Sequence, residues 1–213
     1  MDYPVTLTVE YPERLSRLTT FFRYLMIIPQ VFVIMFVSIA GWFIMFLSWW
    51  AILFTAKYPD VFFNFVTWWL RWGARLSGYI FLLTDKYPPF SGREEADYPV
   101  VFRVEPPGKL SRLTTFFRFP IIPTWAWTPW DQWKLGWSST PGMPMAIPHY
   151  IVLWFISIAA SVILFLSWWA ILFIGRYPRV FFDFITWWFR WSTRVTGYAY
   201  LVTDKYPPFS GRE

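Results

Sequence analysis

Residues 30–55 read QVFVIMFVSIAGWFIMFLSWWAILFT, and residues 150–175 read YIVLWFISIAASVILFLSWWAILFIG. Neither run carries a charged residue over its 26 positions. At about 1.5 Å per residue, each reaches beyond the roughly 30 Å hydrocarbon core of a bilayer and leaves room for tilt. Both are therefore predicted to be transmembrane helices. Small residues recur along them, at Ser38, Gly41 and Ser48 in one and at Ser157 and Ser161 in the other. Such positions let helices approach closely.

The two runs are parts of an internal duplication. Phe46–Phe54 returns unchanged as Phe165–Phe173, and Thr84–Glu94 returns as Thr203–Glu213, both at an offset of 119. Over 46–94 against 165–213, 35 of 49 positions are identical. Upstream, Leu15–Arg23 returns as Leu110–Arg118 at an offset of 95. The change of offset requires 24 extra residues in the second copy, placed at Phe119 to Gly142. The chain thus divides into a first membrane repeat at 1–96 and a second at 97–213.

Each repeat opens on a short alternating stretch, Val5–Val9 and Val100–Val104, which predicts one strand apiece. A lone strand cannot satisfy its backbone, so the two are expected to pair with each other or with a partner chain. Leu15, Leu18 and Phe22, repeated as Leu110, Leu113 and Phe117, fall at helical spacing opposite arginines. That pattern predicts an interfacial amphipathic helix whose arginines reach toward lipid phosphates.

The last helical segments, 61–83 and 180–202, are mostly apolar but hold two arginines each, Arg71 with Arg75 and Arg190 with Arg194. An arginine near the centre of a spanning helix costs about 2.5–3.5 kcal/mol on the lenient insertion scale. Each pair is spaced i, i+4, on a polar stripe that runs Asn64, Thr67, Arg71, Arg75, Gly78 and returns as Asp183, Thr186, Arg190, Arg194, Gly197. The stripe is expected to face the bundle interior or a partner. Lipid phosphates, another subunit's carboxylate, Asp60, Asp85 or Asp204 at helix ends, or a bound anion are the candidate compensators. Three roles stay open: a structural one, a lipid or anion site, and a transport path.

Composition sets the remaining limits. Of 213 residues, 56% are hydrophobic, 25% aromatic and only 15% charged, which excludes an ordinary soluble fold. The net charge of +6 is spread thinly among apolar runs, so a bilayer and not nucleic acid is its expected partner. The chain has no Cys and one His, which excludes disulfides and most metal constellations. No metal site is expected. Catalytic signatures for zinc hydrolysis, serine nucleophiles, phosphate loops or dinucleotides are absent, so an enzyme is not expected and no catalytic residue is assigned.

Two local features are candidates for binding. The insertion carries Trp125, Trp127, Trp130, Trp133 and Trp137 with no helical period, as suits a surface loop anchored in the interface or docked on a partner. His149 follows Pro148 at the head of the second apolar run, where the first repeat has Gln30. It is a candidate haem or pigment ligand, or an interfacial hydrogen-bonding residue.

Lysine and arginine near the span ends number 11 on the side of the termini and middle segment, against three on the other (Lys57, Arg176, Arg179). That asymmetry predicts cytoplasmic N- and C-termini. The first apolar run is too long, and too far behind a charged stretch, for a cleavable signal peptide. The expected fold is an all-α integral membrane protein with four transmembrane helices in two tandem hairpins. With two spans per repeat, both copies keep one orientation, related by a pseudo-two-fold axis along the membrane normal.

Arg176-Tyr-Pro-Arg-Val-Phe-Phe-Asp-Phe184, followed by Arg190-Trp-x-x-Arg194, Gly197-Tyr198 and Thr203-Asp-Lys-Tyr-Pro-Pro-Phe209, resembles the bacterial integral membrane family called domain of unknown function 4389. Ile147-Pro-His-Tyr150 fits the same family, and the likeness covers both repeats apart from the insertion. Asn64 and Gln30 depart from the acidic residue and the His of that pattern. The resemblance implies a bacterial inner-membrane protein with no assigned activity. The leading expectation is a non-catalytic accessory or scaffold subunit of a larger inner-membrane complex, energy-transducing assemblies among the candidates. Lipid or anion binding by the arginine stripe, and pigment or haem binding through His149, are the alternatives. No cofactor is required; phospholipid, pigment and haem are the candidate ligands, with membrane lipids and other membrane subunits as partners.

Overall fold

In the computed structural model, residues 3–95, 97–118 and 144–212 are described. The five tryptophans of the insertion lie outside them. In chain order the elements are β1 (Val5–Val9), α1 (Arg17–Met26), α2 (Ile28–Thr55), α3 (Asp60–Ile80), β2 (Val100–Val104), α4 (Arg112–Phe117), a 3-10 turn at Pro144–Ala146, α5 (Ile147–Ile174) and α6 (Arg179–Ala199). The fold is mostly helical, with one two-stranded sheet.

α2 and α5 are the apolar runs of the two repeats, and these two helices, α2 together with α1, are long and apolar enough to cross a membrane. Each starts with Pro in its first turn, where the missing N–H costs nothing. Each ends on a left-handed residue, Ala56 or Gly175, whose N–H closes back on the carbonyl of Ile52 or Ile171. Ser38, Gly41, Ser48 and Ser157 are buried on their inner faces, whereas Ser161 is exposed. Outer faces are apolar, with Phe36, Ile39, Phe43, Phe155 and Phe165 more than half exposed.

α3 and α6 pack behind them, against α2 and α5 respectively. Both end in a six-residue return, in which Leu83 N–H bonds to Gly78 O and Val202 N–H to Gly197 O. These turns force Leu82 and Leu201 into positive φ, at 65° and 62°. Burial of both leucines holds that costly conformation in place.

The strands pair antiparallel, Val5 opposite Val104 and Leu7 opposite Phe102. Their inner residues press on the helices of the other repeat. A Cβ on Gly78 would lie 2.7 Å from Val100, and one on Gly197 the same distance from Val5. Each strand therefore covers the helix that the other copy supplies, β2 on α3 and β1 on α6.

This exchange fixes directions. β2 runs antiparallel to α3, from Val100 at Gly78 to Phe102 at Arg71, and β1 runs antiparallel to α6, from Val5 at Gly197 to Leu7 at Arg190. Because β1 and β2 are themselves antiparallel, α3 opposes α6, and their hairpin partners α2 and α5 oppose each other. Helix ends agree: Leu15 N–H and the Arg17 guanidinium bond to Gly175 O and Phe173 O at the end of α5, while Leu110 and Arg112 do the same to Ala56 and Phe54 at the end of α2. The expectation that both hairpins keep one orientation is thus corrected. The reason is that β2 carries the chain back along α3 before the second hairpin begins.

Three layers result. α1, α2, α4 and α5 form an apolar layer, α3 and α6 a middle one, and the ribbon with the segments after α3 and α6 a polar one.

Candidate functional site

The arginine stripe is the feature that sequence singled out, and its surroundings are built by the polar layer. Ladder bonds from Glu10 N–H to Pro99 O and from Glu105 N–H to Pro4 O set which strand groups face inward. The carbonyls of Leu7 and Phe102 are left on the two outer edges of the ribbon. Arg71 Nε donates to Phe102 O at 3.3 Å and Arg190 Nε to Leu7 O at 3.0 Å. Each arginine thus blunts an edge that another strand could otherwise extend.

The segment after each helix supplies further acceptors. Arg71 also reaches Gly92 O (2.9 Å) and the Glu94 carboxylate (2.9 Å). Arg75 reaches Ser91 O (3.3 Å), lies 4.0 Å from Glu95, and sits over the Tyr98 ring. In the second repeat Arg194 donates to Ser210 O (3.0 Å) and sits over Tyr3. Gly92 and Gly211 pass so close to the carbonyls of Trp68 and Trp187 that a Cβ would overlap them. Only glycine allows that approach. Tyr98 and Tyr3 donate to Lys86 O (3.0 Å) and Lys205 O (2.9 Å). Burial raises both phenols above their ordinary pKa, against the pull of Arg75 and Arg194, so each stays a donor.

The stripe therefore faces the ribbon and these tails, and not a bundle interior. Neither of its acid and amide positions joins the arginines. Asn64 is exposed, and Asp183 pairs with Arg179 at 3.7 Å on the surface.

Two further arginines matter more than their sequence setting indicated. Arg23 and Arg118 close the two amphipathic segments and are 1% and 0% exposed. Arg23 donates to the carbonyls of Tyr79 and Thr84 (2.8 Å for Thr84), pairs with Asp85 at 2.6 Å and covers the Tyr79 ring. Arg118 repeats this with Tyr198, Thr203 (2.7 Å) and Asp204. Each guanidinium caps the C-terminal end of α3 or α6, where the carbonyls carry partial negative charge. Asp85 and Asp204 also accept from the N-terminal ends of α1 and α4, at Ser16 and Ser111 N–H. One ion pair per repeat thus joins three segments. On α1 and α4, Thr20, Arg23, Thr115 and Arg118 point inward while Leu18, Phe21, Phe22 and their counterparts Leu113, Phe116 and Phe117 point outward, and only Leu15 and Leu110 of the apolar spacing are buried. A signal existed in the sequence: the Arg and the Asp of each pair both lie in segments repeated without change.

His149 is fully buried. Its Nδ1 accepts from Trp191 Nε1 at 3.2 Å, and Phe209 stacks on the ring at 3.9 Å. Gln30 holds the same place in the first repeat: its Oε1 accepts from Trp72 Nε1 at 2.9 Å while its Nε2 donates to Pro88 O. His149 Nε2 has no partner of hydrogen-bond geometry, although the Pro207 carbonyl, counterpart of Pro88, lies against the ring.

One open cleft of roughly 360 Å³ lies beside the stripe, lined by Val9, Tyr11, Arg179, Phe182, Asp183, Thr186 and Arg190. Arg179 covers the Tyr11 ring at 4.4 Å.

The family model described as Domain of unknown function (DUF4389) matches residues 17–92 and 144–211, one segment in each repeat. No curated protein and no solved structure matches the chain.

Proposed function

We propose, from the premise that the chain belongs to the DUF4389 family in both of its halves, that it is a non-catalytic integral membrane protein. It serves as an accessory or scaffold subunit of a larger bacterial inner-membrane assembly, with its termini on the cytoplasmic side. Its repeats are related by a pseudo-two-fold axis perpendicular to the helices.

One observation carries this reading: the buried cations are used to build the fold. Arg23, Arg71, Arg75 and Arg118 hold helix ends, ribbon edges and tails through carbonyls and carboxylates. Arginines committed in this way are poor candidates for a transport path, which needs groups free to exchange partners. What the chain offers outward is an apolar aromatic layer and a polar ribbon, both suited to packing. Purification under mild detergent tests the proposal by mass spectrometry of what accompanies the chain. Stoichiometric co-purifying subunits support it, and a lone monodisperse chain overturns it.

A second reading rests on the cleft at Arg179 and Arg190, whose two guanidiniums and the Thr186 hydroxyl suit a phosphate or carboxylate headgroup. Arg179→Gln should then remove co-purifying anionic lipid while the protein stays monodisperse. For His149, the indole on Nδ1 and the ring stacked on its face support a pin equivalent to Gln30. A haem or pigment absorption band from the purified protein would overturn that role.

A further inference from the structure

Charged groups are exposed at every level of the polar layer. Beside the Gly78 end of α3 stand Lys86 and Asp97; at its middle, near Trp68 and Arg71, stand Arg93, Glu94 and Arg103; beyond the ribbon toward Ala56 stand Glu105 and Lys109. The ribbon runs lengthwise along the helices it covers, with Thr6, Thr8 and Arg103 facing out. On the opposite side, α2 and α5 expose apolar side chains from end to end, from Ile28 to Phe54 and from Ile147 to Ile174.

If α2 and α5 stood along the membrane normal, Arg93, Glu94 and Arg103 would lie at mid-depth. At about 2.5–3.5 kcal/mol per charge, the cost would approach 10 kcal/mol. An open two-stranded ribbon would also have to cross hydrocarbon, which lipid-exposed sheet edges do not do. A span is equally hard to reconcile with the chain path, since the chain would have to return through the membrane as β2.

We infer that the protein is embedded in one leaflet, with the axes of α2, α3, α5 and α6 in the membrane plane and the pseudo-two-fold axis along the normal. Its partner surface is the acyl region of a single leaflet. The apolar layer is one helix thick, about 10–12 Å, which fits within half of the roughly 30 Å core. In this pose Phe21, Phe36, Phe43, Phe116, Phe155 and Phe165 enter lipid, and the ribbon and both tails face water. The antiparallel course of the repeats follows naturally, because an in-plane pair related by an axis along the normal presents the same face twice. The inference rests on the membrane reading proposed above and adds the orientation to it.

The chain has no Cys, so single replacements report cleanly. Lys57→Cys, Lys86→Cys, Arg176→Cys and Lys205→Cys are each exposed to a membrane-impermeant maleimide in right-side-out and inside-out vesicles, normalised to labelling after detergent lysis. All four should label from one and the same side, at least about tenfold over the other. Two groupings overturn the inference. Lys57 with Arg176 against Lys86 with Lys205 means parallel spanning hairpins; Lys57 with Lys205 against Lys86 with Arg176 means antiparallel spans. Release of the wild-type chain by an alkaline carbonate wash is a different failure, because it removes the membrane reading itself.

Discussion

The first and second repeats differ at 14 of the 49 positions compared over 46–94 and 165–213, and the differences sort by role. Residues that tie segments together are the same in both: Arg71 and Arg190, Arg75 and Arg194, Gly78 and Gly197, Asp85 and Asp204, Gly92 and Gly211. Changes at the exposed starts of α3 and α6, where Asp60 and Asn64 become Arg179 and Asp183, alter surface charge without touching the ties, and others exchange one buried side chain for another, as at Val66 and Ile185, Leu76 and Val195, and Phe81 and Tyr200. The arginines thus answer to architecture, while the difference in surface charge is free to serve a partner or a headgroup.

Breaking that equivalence is most direct at the two capping arginines. Arg23→Met and Arg118→Met each leave a partly buried carboxylate and two carbonyls without their donor. Removing one partner of a buried pair costs about 3–5 kcal/mol. Both variants should lower the unfolding midpoint in detergent by a similar amount, and a harmless substitution in one repeat would break the equivalence.

The tail crossings come next. A methyl group on Gly92 or Gly211 meets backbone and has no flexible side chain to displace. Overpacking of this kind costs up to about 3 kcal/mol. Gly92→Ala should lift the tail from α3 and release Arg71 and Arg75 from Gly92 O and Ser91 O. The expected readout is faster tryptic cleavage at Arg93, with Gly211→Ala speeding cleavage at Arg212 in the same way. Unchanged digestion in either variant would mean that the tail is not clamped there.

Gln30 and His149 sharpen the comparison because they differ in identity yet meet the same indole. The exchanges Gln30→His and His149→Gln should each change stability by less than about 1 kcal/mol, since one acceptor facing Trp72 or Trp191 is kept. Gln30→Leu and His149→Leu strand a buried indole N–H and should cost about 1–2 kcal/mol. A large loss from His149→Gln alone would point to a role for the imidazole beyond holding Trp191.

These pairings also mark how far the sequence was legible. The apolar helices, the duplication, the two strands and the polar stripe follow from period and charge, and each has its counterpart in the fold. Direction was out of reach, because counting cations on two sides presumes that every long segment crosses the membrane. Nothing in the period of Val100–Val104 says that this strand returns along α3. Likewise, spacing tells that Arg71 and Arg75 share a face but not that the acceptors are carbonyls of Ser91, Gly92 and Phe102. Arg23 and Arg118 were not singled out, because each only closes a pair of phenylalanines, Phe21-Phe22 or Phe116-Phe117, on a helix read as interfacial. In the fold those phenylalanines point outward and the arginine points in.

The smallest expected effect lies at the ends of the apolar helices, where the repeats use different residues for one backbone shape. Ala56 has φ 56° and Gly175 φ 75°, and both close their helix with an N–H to the fourth residue back. A left-handed alanine carries a steric cost of about 1–2 kcal/mol, partly offset because glycine loses more chain entropy on folding. Gly175→Ala should therefore destabilise by about 0.5–1 kcal/mol, and Ala56→Gly should stabilise by a similar amount. Space does not decide the sign, since a Cβ on Gly175 would meet Arg17 Nε no closer than 3.7 Å. Making both changes together exchanges the two caps and should return the midpoint to that of the starting protein. If the double variant stays displaced, the two helix ends are not equivalent, and Arg17 over Gly175 and Arg112 over Ala56 hold them with different strength.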